Sequence, residues 1–176
     1  MLDTRAQPDE FSVALRKVIA AVRGEVFTDG AGLQTASGWM AESYYQQSRL
    51  MLDEALVAAR RATEKSPRFG FAWARVAELE FSFGRVDAAL AALDKALALS
   101  PRHASALALK GFLLSAQNKI PAAIRQFDEA MAIDSVLPEA WLGRGLSRIR
   151  SGDGAGGRED LRTAAALEPN RAVLRR

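Results

Sequence analysis

Hydrophobic and polar positions alternate along this chain with helical periods almost from end to end. Phe11, Leu15, Val18, Ile19 and Val22 recur at intervals of three and four, which predicts an amphipathic helix over residues 9–23. Asp9 suits its cap and Gly24 its stop. Residues 1–8 are polar and read as loose, and residues 25–35, with Thr28-Asp29-Gly30 and Gly32, read as a linker. Helix pairs follow, predicted at 37–49 and 53–65, then at 71–83 and 86–99. Gly84 can take the left-handed conformation that ends the first helix of the second pair. The third pair repeats the plan, with Asn118 as the stop and Pro121 in the first turn of the next helix. In the last pair Pro138 opens the first helix. The glycines of 152–157 cost about 1 kcal/mol each inside a helix, so the final helix is expected to firm up only from Glu159 to Leu167.

The pattern repeats at a fixed step. Pro67 and Pro101 are 34 residues apart, as are Trp39 and Trp73, and Trp141 follows Trp73 by two such steps. Numbering each repeat so that the tryptophans stand at position four gives repeats at 36–69, 70–103, 104–137 and 138–171. Three columns of small residues then come into register. Position eight reads Ser43, Ala77, Gly111 and Gly145, and position twenty reads Ala55, Ala89, Ala123 and Gly157. Position twenty-seven reads Ala62, Ala96, Ala130 and Ala164. Small side chains at recurring positions let two helix backbones cross closely. Self-similarity at this period predicts stacked helical hairpins, each burying its apolar face on the next.

With these columns the sequence resembles the tetratricopeptide repeat (TPR) family over about three quarters of its length. The resemblance implies an all-α, right-handed solenoid of about four helix–turn–helix repeats, here with an extra N-terminal helix. It also implies a concave groove lined by positions two, five, nine, twelve and thirteen of each first helix, where partner segments bind. The lining expected here includes Met40, Tyr44 and Gln47 in the first repeat and Phe71, Glu78 and Phe81 in the second. Phe112 follows in the third, and Leu142, Leu146, Ile149 and Arg150 in the fourth. Some of these side chains can equally tuck between neighbouring first helices as core. The family's carboxylate clamp for chaperone tails needs Asn at position nine and Lys at position five. Those positions hold Tyr44, Glu78, Phe112, Leu146 and Met40, Ala74, Ala108, Leu142, so that ligand is not expected. The phrases GWMAESYYQQSR and GFAWARVAELEFSFGR are also similar to TPR segments attached to FecR-type domains of bacterial envelope proteins. That similarity implies a periplasmic setting and a piece of a longer chain; without it a cytoplasmic setting is the default.

Composition changes this picture little. The net charge of +3, with both signs interspersed, demands no polyanion partner, and the absence of cysteine removes disulfides and thiol chemistry. No run reaches transmembrane length, so no membrane insertion is expected. His103 is the single histidine and cannot complete a zinc site, and GDGAGG at 152–157 lacks the lysine and strand of a phosphate loop. No cofactor, metal or catalytic set is expected. The chain therefore reads as a non-catalytic scaffold that binds a protein or peptide partner through an apolar groove. The alternatives are polyanion contact through Arg144, Arg148, Arg150, Arg158, Arg162, Arg171, Arg175 and Arg176, and self-association through the last helix, whose Leu161 and Ala165 lack a cover. If nothing is added after Arg176, that end makes a monomer or a weak homo-oligomer. The N-terminal helix has three open roles: a packing cap, the remnant of a preceding domain, or a docking helix.

Overall fold

A computed structural model describes residues 10–27 and 33–168. The expectations for residues 1–9, the Thr28–Gly32 linker and the last eight residues lie outside these. The described residues form nine α-helices and no strand. They divide into two compact units, Met1–Leu99 and Ser100–Arg176. The N-terminal unit holds α1 (Glu10–Arg23), α2 (Ala36–Ser48), α3 (Leu52–Lys65), α4 (Gly70–Ser82) and α5 (Val86–Leu99). The C-terminal unit holds α6 (Ala104–Ala116), α7 (Ile120–Ile133), α8 (Pro138–Arg150) and α9 (Gly154–Leu167). Within the units α2 pairs with α3, α4 with α5, α6 with α7 and α8 with α9, and α3 packs on α4 as α7 does on α8.

One turn closes the first helix of every hairpin. The backbone is left-handed at Leu50 (φ 62°), Gly84 (φ 73°), Asn118 (φ 60°) and Gly152 (φ 98°), each 34 residues after the last. In each case the next amide donates to the carbonyl five residues back: Met51 to Gln46, Arg85 to Glu80, Lys119 to Leu114 and Asp153 to Arg148. These bonds satisfy orphan carbonyls at the helix end and reverse the chain. Leu50 stands where glycine or asparagine is expected and takes the same conformation, exposed and against its preference. Leu50→Gly is therefore expected to stabilise the N-terminal unit by about 0.5–1 kcal/mol, because the strain removed exceeds the chain entropy added. An unchanged urea midpoint would show that the strain is not there.

The columns of small residues are buried. Ser43, Ala77, Ala55, Ala89, Ala123, Ala62, Ala96 and Ala130 are sealed from solvent, and Phe127, Leu79, Leu93 and Leu113 fill the space beside them. The last hairpin departs from expectation. The final helix starts at Gly154 rather than Glu159, because Asp153 caps it by accepting from the Gly156 amide at 2.8 Å. A Cβ on Gly157 would lie 2.6 Å from the Gly145 carbonyl oxygen, so the glycines cost propensity but allow α8 and α9 to cross in contact. Leu161 is half-buried beside Gly145, so only Ala165 of the pair expected to lack cover is exposed.

The first helix packs on α2 through Val13, Lys17 and Ala20, while Phe11 and Val22 of its apolar stripe stay 77% and 83% exposed. Polar contacts at two points fix this packing. Glu10 Oε1 accepts from the Gln34 amide (2.9 Å), the Thr35 amide (2.7 Å) and the Thr35 hydroxyl (2.7 Å), and Lys17 pairs with Glu42. Glu10 thus caps the start of α2 from another helix. The Thr35 backbone bond, then its hydroxyl, hold this carboxyl below its usual range. A depressed carboxyl pKa contributes stability above its unfolded value of about 4.3 and loses it as pH falls through the folded value. The Gln34 and Thr35 amide resonances are expected to shift in that acid window, and Glu10→Gln to abolish the shift. Titration unaltered by Glu10→Gln would place the anchor elsewhere.

Candidate functional site

The side chains expected to line a groove are all on first helices of hairpins, and the structure treats them differently. In the N-terminal unit the organising residue is Arg75 of α4, which the sequence reading did not single out. Its guanidinium is only 2% exposed. Nε donates to Ser43 Oγ at 2.9 Å, and Nη2 to Gln47 Oε1 at 2.7 Å and to the Ser43 carbonyl at 3.2 Å. Nη1 reaches Glu78 at 3.0 Å, and the guanidinium stacks 4.1 Å from the centroid of the Tyr44 ring. One buried cation therefore ties α2 to α4 and gathers Tyr44, Gln47 and Glu78. Burial, then Glu78, push the Tyr44 phenol above its usual value against the opposing pull of Arg75. Met40 is half-buried, Ala74 is buried, and Phe71 and Phe81 stand exposed on α4. The ring of Phe71 leans on Phe69, 6.2 Å between centroids.

In the C-terminal unit Phe112 is as much core as surface. It is half-buried and meets Phe127 edge to face at 5.1 Å, and a Cβ on Gly143 of α8 would touch both rings. Leu142, Leu146 and Ile149 form an exposed apolar stripe on α8, at spacings of four and three. Ile149 also packs against Gly157. Arg150 reaches from α8 to the end of α6, donating to the Ser115 carbonyl at 2.9 Å and Asn118 Oδ1 at 3.0 Å. Ala108 is buried.

Two further networks hold these helices in place. Glu80 is buried and accepts from Arg60 of α3 and Arg85. Asp160 of α9 is buried and accepts two bonds from Arg144, at 2.7 and 2.9 Å, and one from Arg148 at 3.0 Å. Arg144 also reaches Asp128 of α7 at 2.7 Å. Its guanidinium is raised above its ordinary value, first by the Asp160 bond. The tryptophans serve the loops before their helices. Trp73 and Trp141 donate to the carbonyls of Pro67 (2.9 Å) and Ser135 (2.8 Å), six residues back, whereas the buried Trp39 indole nitrogen has no such partner. The tryptophan contacts recur with the repeat, whereas the ion pairs of Glu80 and Asp160 carry no periodic signature in the sequence. Chemically, the first helices offer exposed aromatic and aliphatic groups beside fixed polar points.

No family model matches the chain, and no curated protein does. Solved structures do. The chain is similar to the crystal structure of MamA, at 15% identity and TM-score 0.66, covering 92% of this chain and 89% of that one. It is similar to YrrB, described as a TPR protein with an unusual peptide-binding site, at 18% identity and TM-score 0.62, over 77% of this chain and 70% of that one. It is similar to pilF of Pseudomonas aeruginosa, at 23% identity and TM-score 0.69, over 77% and 62%. These likenesses establish the fold: an all-α helical-repeat solenoid of the TPR type. No helix among the described residues is long and apolar enough to cross a membrane.

Proposed function

We propose that the protein is a non-catalytic scaffold that binds a partner peptide or helix along the first helices of its 34-residue repeats. The observation that carries this is the set of large apolar side chains held in water there: Phe71 (53% exposed) and Phe81 on α4, Leu142, Leu146 and Ile149 on α8. Exposed apolar groups grouped on one helix face mark contact sites. The Arg75 hub gives the reading a second support. A buried cation bonded to two helices fixes Tyr44, Gln47 and Glu78 in position before any ligand arrives, which lowers the ordering cost of binding. A structurally similar protein, YrrB, is described as having a peptide-binding site.

The polyanion alternative draws less support. Arg144 and Arg148 are committed to Asp160, Arg162 pairs with Glu159, and Arg150 bonds to the end of α6. Peptide display on the intact chain is the test. Selected sequences are expected to carry apolar anchors, and Phe81→Ser together with Leu146→Ser to weaken them at least tenfold, about 1.4 kcal/mol. Both positions are exposed, so the fold survives the change. Selection of basic-depleted, acidic sequences whose affinity collapses with salt would favour the polyanion reading instead.

A further inference from the structure

The apolar stripe on α8 carries a charge at each end. At about 100° per residue, Glu139, Leu142, Leu146, Ile149 and Arg150 fall within an arc of about 100°, so the five share one face of the helix. Three exposed apolar side chains thus lie between an exposed carboxylate at the start of the helix and an exposed guanidinium at its end, about 16 Å further along. The helix dipole accounts for the sign at each end and leaves both charges facing water. Glu139 pairs with no cation among the described residues.

Arg150 is held differently from the paired arginines of the same hairpin. Arg144 and Arg148 meet Asp160, and Arg162 meets Glu159. Arg150 bonds only neutral oxygens, the Ser115 carbonyl and Asn118 Oδ1, and no carboxylate among the described residues pairs with it. Asp153, the nearest carboxylate along the chain, turns to the Gly156 amide and to Arg148. Lys119, exposed beside Asn118, has the same sign as Arg150. The two bonds fix the guanidinium and leave three of its five N–H groups for another acceptor. Leu146 lies one turn before Arg150, so a side chain seated on Leu146 and Ile149 brings its neighbour to a cation that is already in place. One uncompensated cation is too little for a polyanion and enough for one carboxylate. We infer, building on the peptide reading above, that the segment received by α8 is charge-ordered: an apolar run with an acidic residue on the side of Arg150 and a basic residue on the side of Glu139.

The experiment takes the peptide selected by display on the intact chain and synthesises it with its acidic residue as glutamate or as glutamine. Fluorescence anisotropy at low salt is expected to show the glutamate form binding about three- to fivefold more tightly, the scale of a partly exposed ion pair. Arg150→Gln keeps a donor for the Ser115 carbonyl but removes the charge, and should bring that ratio near one. A purely structural role for Arg150 would weaken both forms alike and leave the ratio as it was. Display on the Glu139→Arg, Arg150→Glu variant, once circular dichroism shows it folded, should return peptides with the reverse charge order. Apolar-anchored peptides without a fixed charge order, or an unchanged ratio in Arg150→Gln, would overturn the inference and leave the peptide reading standing. Failure to select any apolar-anchored peptide would overturn both. Concentration-dependent dimerisation of the chain, lost in Leu146→Ser, would also overturn it and assign the stripe to a second copy.

Discussion

Replacing Gly157 by valine is expected to destabilise the C-terminal unit by about 3 kcal/mol. Helix propensity alone argues the other way, because valine is a few tenths of a kcal/mol better than glycine in a helix interior. Packing decides. The added Cβ would lie 2.6 Å from the Gly145 carbonyl oxygen and from Ile149 Cγ1, and 3.1 Å from the Ile149 amide nitrogen. Two of these are backbone atoms of α8 and cannot swing aside, so the helices must separate. Overpacking of this kind costs about 1–3 kcal/mol or more, and the branched side chain adds to it. The separation would also turn Ile149 and its stripe on α8. Gly154 supplies the contrast. A Cβ there meets only the end of the flexible Arg158 side chain, at 3.2 Å, so Gly154→Ala should be neutral or slightly stabilising. The urea midpoints of the two variants should move apart. Equal shifts would mean that the α8–α9 crossing is looser than described.

Arg75→Met is expected to cost about 2–3 kcal/mol in the N-terminal unit. Methionine keeps the apolar stem but removes bonds to Ser43, Gln47 and Glu78, and bonds involving a charged group contribute about 1.5–3 kcal/mol each. The sum is discounted because Glu78 is partly exposed and can return to water. Arg75→Lys should not restore the loss, since an ammonium cannot fork to both helices and stack on Tyr44. Amide exchange along α2 and α4 is the measurement. Full rescue by lysine would show that charge, not the guanidinium fork, matters at this position.

These two residues also show what the chain discloses by itself. Helix positions are legible because a 34-residue step repeats four times, and because small residues must recur wherever backbones cross. Even the left-handed turn at Leu50 follows the step, although its side chain opposes it. Gly157 misleads a propensity argument, since its role lies in a contact with a residue twelve positions away on another helix. Arg75 sits among apolar neighbours and has no partner at helical spacing except Glu78, so Ser43 and Gln47 could not be read from the sequence. For α1 the stripe was legible but its direction was not. The helix is held on α2 by polar contacts, of Glu10 with Thr35 and of Lys17 with Glu42, which the stripe does not announce. Phe112 divides in the same way: its position fits a groove, but Gly143 leaves room for it to lie on Phe127.

The most direct test of the central claim is site-specific photo-crosslinking to a display-selected peptide. A photoreactive phenylalanine analogue is placed at Phe81 of α4 or Leu146 of α8, and at Val57 of α3 and Ala132 of α7 as comparison positions, all four being exposed. The account predicts peptide adducts at positions 81 and 146 and none at 57 and 132. Adducts confined to 57 and 132 would contradict it and move the binding surface to the second helices of the hairpins.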